Sequence, residues 1–142
     1  VKPGNVFVNS EGRLLLGDFS GMVRLLSRTS RVSSVLPRHY TVGWRAPEQV
    51  YSDLRERALN AGVENRIDVY QLGNLLLYLL TGDSVDGEEY EEARDATGGI
   101  EDPGLRALVE KMLSPDPLDR PSVETVLSNL ATVYQKLSEA EK

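Results

Sequence analysis

The stretch "IDVYQLGNLLLYLLTGD", residues 67–83, carries apolar side chains on every side of a helical period. Ile67, Val69, Tyr70, Leu72, Leu75, Leu76, Leu77 and Leu79 leave no polar face, and Gly82 follows as a C-terminal stop. The pattern predicts a helix of about 15 residues buried on all sides, because a helix without a polar stripe must be covered all round. In a chain of 142 residues that makes it a central helix around which the other elements pack. Its apolar run is far shorter than a membrane span.

The flanking segments supply the partners. "VFVNSEGRLLLGDF" reads as two short strands joined at the polar turn Asn9-Ser10-Glu11-Gly12. From Ser20 to about Tyr40 no period is sustained, and a stretch this long inside a compact domain is usually functional or mobile. A short helix is expected over Pro47 to Tyr51, then an irregular link with some helical character around residues 53–60. "GLRALVEKML" reads as an amphipathic helix stopped by Ser114-Pro115-Asp116-Pro117. "SVETVLSNLATVYQKL" reads as the last helix, with Ser122 as its N-cap.

Composition narrows the chemistry. The chain has no cysteine and one histidine, His39, which excludes disulfide frameworks, thiolate metal sites and histidine-based clusters. A net charge of −6 argues against non-specific nucleic-acid binding. No signal-peptide pattern is visible in these residues. The charge is uneven. Residues 19–47 hold Arg24, Arg28, Arg31, Arg38 and Arg45 with no acid, whereas residues 83–102 hold nine carboxylates and only Arg94. A solvated acidic loop accounts for the second block. The first repels itself unless phosphates or carboxylates answer it.

Asp18, at the end of "RLLLGDF", closes the second strand. Taken alone it reads as a turn residue, and its surroundings change that. Val1-Lys2-Pro3-Gly4-Asn5, the hairpin and then Asp18-Phe19-Ser20-Gly21 resemble the catalytic loop and metal-binding triplet of eukaryotic-type protein kinases. Thr41-Val42-Gly43-Trp44-Arg45-Ala46-Pro47-Glu48 resembles the end of that family's activation segment. Asp68-Val69-Tyr70-Gln71-Leu72-Gly73 resembles the start of its buried central helix, and Asp116-Pro117-Leu118-Asp119-Arg120-Pro121-Ser122 the signature before its final helix. The resemblance covers the whole chain, in order. It implies a mainly α fold: a kinase-like C-lobe fragment over residues 1–142, with one β-hairpin, an activation segment and a helical bundle around the central helix.

The resemblance also implies roles. ATP and Mg2+ would be the cofactors. Asp18 and Asn5 match the two metal ligands, and oxygen donors suit magnesium. Lys2 matches the lysine that contacts the γ-phosphate, and Thr41 the hydroxyl held between that lysine and the catalytic base. Gly4 lies in the nucleotide-facing loop. Phe7 matches the floor under the adenine, although an ordinary core aromatic on a strand fits it equally. Leu75 and Leu79 would continue the same apolar column into the central helix. Glu48 and Arg120 match a buried ion pair tying the activation segment to the last helices. Asp68 matches a carboxylate that accepts backbone hydrogen bonds from the catalytic loop, and an acid at a helix N-terminus serves the dipole as well.

Departures from the pattern are expected to matter. The family's catalytic Asp would stand immediately before Val1, and the N-lobe of the same kinase, with its lysine and glycine-rich loop, would also lie outside these residues and be the partner that completes the cleft. The fragment alone is therefore expected to be inactive, with exposed apolar surface near Leu76 and Tyr78. Ser20 replaces the triplet's Gly, and the stretch from Glu48 to Asp68 is longer than usual. Ser20 and Gln71-Leu72-Gly73 are similar to features of apicomplexan rhoptry kinases. Two readings stand: a serine/threonine kinase acting on a protein substrate, and a pseudokinase serving as a binding or scaffolding module. The intact Lys2, Asn5, Asp18 and Thr41 favour the first. A small-molecule kinase would need neither Ala46-Pro47-Glu48 nor Thr41. Ser27, Thr29, Ser30, Ser33 and Ser34 lie among the arginines, where phosphate could order the loop; solvated arginines on an unmodified loop are the alternative.

Overall fold

A computed structural model describes residues 5–17 and 43–140. Strand β1 (Val6–Val8) pairs antiparallel with β2 (Leu14–Leu16), Phe7 facing Leu15. The turn is built by Asn9, whose Oδ1 accepts the amides of Glu11 at 3.0 Å and Arg13 at 2.8 Å. Gly12 takes a φ of 80°, in the left-handed region that glycine enters without a Cβ clash. The hairpin therefore forms where the sequence places it.

Six α-helices follow among the described residues: α1 (Pro47–Val50), α2 (Ser52–Ala61), α3 (Arg66–Thr81), α4 (Ala93–Thr97), α5 (Pro103–Met112) and α6 (Val123–Ala140). Two 3-10 segments, Gly87–Glu92 and Pro117–Asp119, join them. The central helix is α3. On one side Ile67, Tyr70 and Leu77 pack with Ala46, Val85, Ile100, Val109 and Leu113. On another, Val69 packs with Leu108, Met112 and Val126. A Cβ on Gly73 would come within 2.7 Å of the Met112 Cβ, so glycine permits the close approach of α3 and α5. Asp102 caps α5, accepting the Leu105 amide at 2.8 Å, and the Ser122 hydroxyl caps α6, accepting the Thr125 amide at 3.2 Å. No helix among the described residues is long and apolar enough to cross a membrane.

Three expectations need correction. Residues 53–60 are not irregular but lie in α2, ended by Gly62 at a φ of 69°. Only Ala58 of that helix is fully buried, so its apolar period is too thin to read, and α2 depends instead on polar ties. Arg55 donates to the carbonyls of Glu48 and Gln49, and Arg57 pairs with Asp116 at 2.8 Å. The acidic block is not simply a solvated loop. It forms the 3-10 segment and α4, with Val85, Asp86, Gly87, Ala93 and Thr97 buried while Glu88, Glu89, Glu91 and Glu92 face water. Finally, α3 is not covered all round. Leu75 is buried, but Leu79 is 64% exposed, with Tyr78 and Leu80 beside it, because the described elements pack against only part of the helix. The exposed apolar surface expected near Leu76 and Tyr78 is present at Tyr78. Leu76 packs against both clusters.

Candidate functional site

Of the residues matched to nucleotide and metal, Lys2, Gly4, Asp18 and Thr41 lie outside the described residues. Asn5 and Phe7 lie within them. Asn5 is half-buried just ahead of β1, and its carbonyl accepts the Gly17 amide at 2.8 Å across the hairpin. That bond holds the residue preceding Asp18 directly opposite Asn5. Among the described residues alone, no three acidic or histidine side chains gather to hold a metal. Phe7 is 53% exposed among the described residues. Its ring lies against Gly17, where a Cβ would meet the ring edge at 2.6 Å.

The best-defined part of the site is the segment Gly43–Gln49. Ala46, Pro47, Glu48 and Gln49 are all buried. Pro47 opens α1 at a position that has no need of its N–H. The Gln49 side chain accepts the Ala46 amide at 2.8 Å and also takes the Gln71 amide of α3 at 3.2 Å. Glu48 and Arg120 form a two-pronged pair, at 2.7 and 2.8 Å, with both side chains cut off from water. The rest of the guanidinium is used as well. It donates to the carbonyls of Arg66 and Ser114, both at 2.8 Å, and stacks over the Tyr70 ring at 5.1 Å from its centre. Arg66 donates in return to the Arg120 carbonyl. Burial pushes the Tyr70 hydroxyl well above the ordinary tyrosine range, and the hydroxyl donates to the Val85 carbonyl at 2.7 Å.

Upstream of this pair, Arg45 is held by Asp86 at 2.7 Å and by Glu88 at 3.1 Å. Trp44 meets Tyr78 of α3 edge to face, with ring centres 5.7 Å apart. Segment 43–49 is thus tied to α3, to the 85–88 turn and to Arg120 at once.

Comparison with known proteins bears on the same arrangement. A family model described as "Protein kinase domain" matches residues 1–130. The chain belongs to the protein kinase domain family. It is 31% identical over its full length to the interferon-induced, double-stranded RNA-activated protein kinase of mouse, covering 26% of that protein. It is 27% identical to a Wee1-like protein kinase of rice, with 99% of this chain and 25% of that protein aligned. It is also 28% identical to a mouse protein named as an inactive serine/threonine-protein kinase, over 91% of this chain and 21% of that protein. The chain thus spans about a quarter of the length of the relatives it matches. The likeness to rhoptry kinases has no support among these relatives.

In this kinase helical lobe, Glu48 and Arg120 meet as the motifs implied. Asp68 stands in the first turn of α3, and its carboxyl group is held above the ordinary range by partial desolvation, although the residue keeps contact with water. The catalytic-loop amides that it would accept belong to residues outside those described. Sequence reasoning missed Asn74, Asp86 and Gly87. Asn74 stands directly before the leucine run of α3 and is fully buried, and a polar residue at that place was its available signal. It accepts the Val85 amide at 2.8 Å and donates to the carbonyls of Val85 and Gly43 at 3.1 and 3.3 Å. Asp86-Gly87 was hidden by the seven other acids around it between residues 83 and 101.

Proposed function

We propose that the protein from which this chain comes transfers the γ-phosphoryl group of ATP to serine or threonine of a protein substrate. In this reading the chain supplies the metal-binding, activation-segment and substrate-binding part of the catalytic domain, and the N-lobe completes the nucleotide cleft. The observation that carries the reading is the buried Glu48–Arg120 pair, since it fixes the end of a segment matched to the kinase activation segment onto the helical lobe. Asn5 and Asp18 would hold Mg2+, which when bound would offset the charge of the phosphates. Lys2 would contact the γ-phosphate, Gly4 would let the backbone approach it, and Phe7 would lie under the adenine. Thr41 would sit beside Lys2 and orient the acceptor hydroxyl. Serine or threonine selectivity rests on Lys2 and on Thr41 standing five residues before Ala46.

The test uses the full-length protein. Wild type should phosphorylate a serine/threonine peptide library, and Asp18→Ala should abolish this. ATP should raise the melting temperature in magnesium but not in EDTA. Equal stabilisation in EDTA would remove Asp18 as a metal ligand and favour the scaffolding role. The 142-residue chain alone should show no turnover. A phosphate between Ser27 and Thr41, found by mass spectrometry of active protein, would support regulation of the arginine-rich segment, and its absence would remove the idea.

A further inference from the structure

The segment Gly43–Pro47 has no regular structure until α1 begins, yet its backbone is fixed at nearly every polar atom. The Gly43 amide donates to Asp86 Oδ1 at 2.8 Å, and its carbonyl accepts from Asn74 at 3.3 Å. Gly43 itself has a φ of 97°, a conformation that favours glycine. The Arg45 amide donates to the same Asp86 Oδ1 at 3.0 Å, while the Arg45 carbonyl accepts the Gly87 amide at 2.8 Å. The Arg45 guanidinium closes on both Asp86 oxygens, with Nε at 3.1 Å from each and Nη2 at 2.7 Å from Oδ2. Asp86 also accepts the Glu88 amide at 3.1 Å. At Gly87 an added Cβ would lie 2.4 Å from the Ala46 carbonyl carbon, so the two backbones touch.

One carboxylate, 8% exposed, therefore sets two backbone amides and one side chain of the same five-residue stretch. A buried ion pair is a poor source of net stability compared with apolar packing, but it specifies geometry well. Loops that bind other molecules take their shape from such side chains on a rigid scaffold. Here the scaffold is α3, through Asn74.

We propose that Asp86 is a positioning residue for the protein substrate, acting through Arg45 and the amides of Gly43 and Arg45 to hold the 43–47 segment in its substrate-receiving shape. This rests on the kinase reading above. Asp86 touches neither phosphate nor nucleotide in this scheme, so its effect falls on the protein substrate alone.

The test compares full-length wild type with Asp86→Ala and Asp86→Asn, using a serine/threonine peptide library to find a substrate and that peptide for kinetics. Asp86→Ala should raise KM for the peptide about tenfold or more, the scale of a lost charge-assisted hydrogen bond, and leave KM for ATP within about twofold. Asp86→Asn, which keeps an acceptor for the two amides, should fall between them and covers the case in which the alanine variant does not fold. An unchanged peptide KM, or parallel rises in both KM values, would overturn the proposal. Hydrogen exchange separates the two layers of inference. Exchange at Gly43 and Arg45 should accelerate in Asp86→Ala, with α5 unchanged, whether or not wild type phosphorylates any peptide. An inactive wild type with accelerated exchange would overturn the kinase reading and the substrate role, leaving only the clasp. Unchanged exchange would overturn the clasp itself.

Discussion

Two arginine–carboxylate pairs fasten the same short segment, and they differ in almost every respect. Arg120–Glu48 joins residues 72 apart, with side-chain exposures of 0% and 1%. Arg45–Asp86 joins residues 41 apart, at 13% and 9%, and shares its arginine with the exposed Glu88. The first is sealed among Tyr70, Ser114 and Arg66, where a lone charge would have no water to turn to. The second sits at the rim, where water can take over part of the solvation. The inner pair reads as a permanent rivet and the outer one as a clasp whose opening the fold can survive.

That contrast can be broken most directly by removing one partner of each pair. In the full-length protein, Arg120→Ala or Glu48→Ala should destabilise by about 3–5 kcal/mol in denaturant titrations, since each strands a buried charge. Arg45→Ala should cost only about 1–2 kcal/mol, in the range of a partly hydrated charged hydrogen bond. Equal losses would abolish the distinction between rivet and clasp.

Next in size comes Gly87→Ala. Its Cβ would press on the Ala46–Pro47 backbone, so overpacking should cost about 1–3 kcal/mol and loosen Gly43–Pro47 without touching either ion pair. A neutral result would mean that the two backbones can part freely.

Acid should sharpen the contrast further. Burial, the largest influence on Asp86, disfavours its charge, but hydrogen bonds from the Arg45 side chain and from the amides of Glu88, Arg45 and Gly43 outweigh it and hold the carboxyl below the ordinary range. A depressed native pKa gives stability that is present above the unfolded value, near pH 4, and is lost as pH falls through the native one. Asp116 behaves likewise: desolvation works against its charge, and the Leu118 amide and Arg57 overcome it. Asp68 has the opposite sign. Its raised pKa favours the fold below the unfolded value and is a small burden once the group ionises. Stability measured from pH 6 down to pH 2 should therefore decline less steeply in Asp86→Asn than in wild type. Identical slopes would show that Asp86 is not held in its charged form.

The smallest effect is expected at Tyr134, on α6, which is 74% exposed. Tyr134→Ser should change stability by no more than about 0.5 kcal/mol. A loss of several times that would reveal that this face of α6 is covered in the full-length protein.

Much of this was legible beforehand, and unevenly so. The Asn9–Gly12 turn, the Ser122 cap and the Gly82 stop were readable because each depends on a side chain or a φ angle within a few residues of itself. Helix α3 was readable from its leucines, although their number implied cover on every side and Leu79 is largely exposed among the described elements. Helix α2 was readable only as partial helical character around residues 53–60, because it leans on Arg55 and Arg57 reaching backwards and forwards to polar partners and hardly at all on an apolar stripe. Glu48 and Arg120 became legible only through the family resemblance. No spacing rule connects positions 72 apart.

What the sequence determined by itself is the order of the motifs, the hairpin turn and the central helix, since these rest on residue identity and local periodicity. The tertiary structure decided which of nine acids in one block would be buried. Asp86 differs from Asp83 or Glu89 in no property of the side chain that bears on this. It differs because the packing of α1 against the 3-10 segment brings the Gly43 and Arg45 amides to it, and Asn74 braces the same turn from α3. Hydrogen-bond donors converging from positions some 40 residues away are set by packing, and packing is what a one-dimensional pattern leaves out.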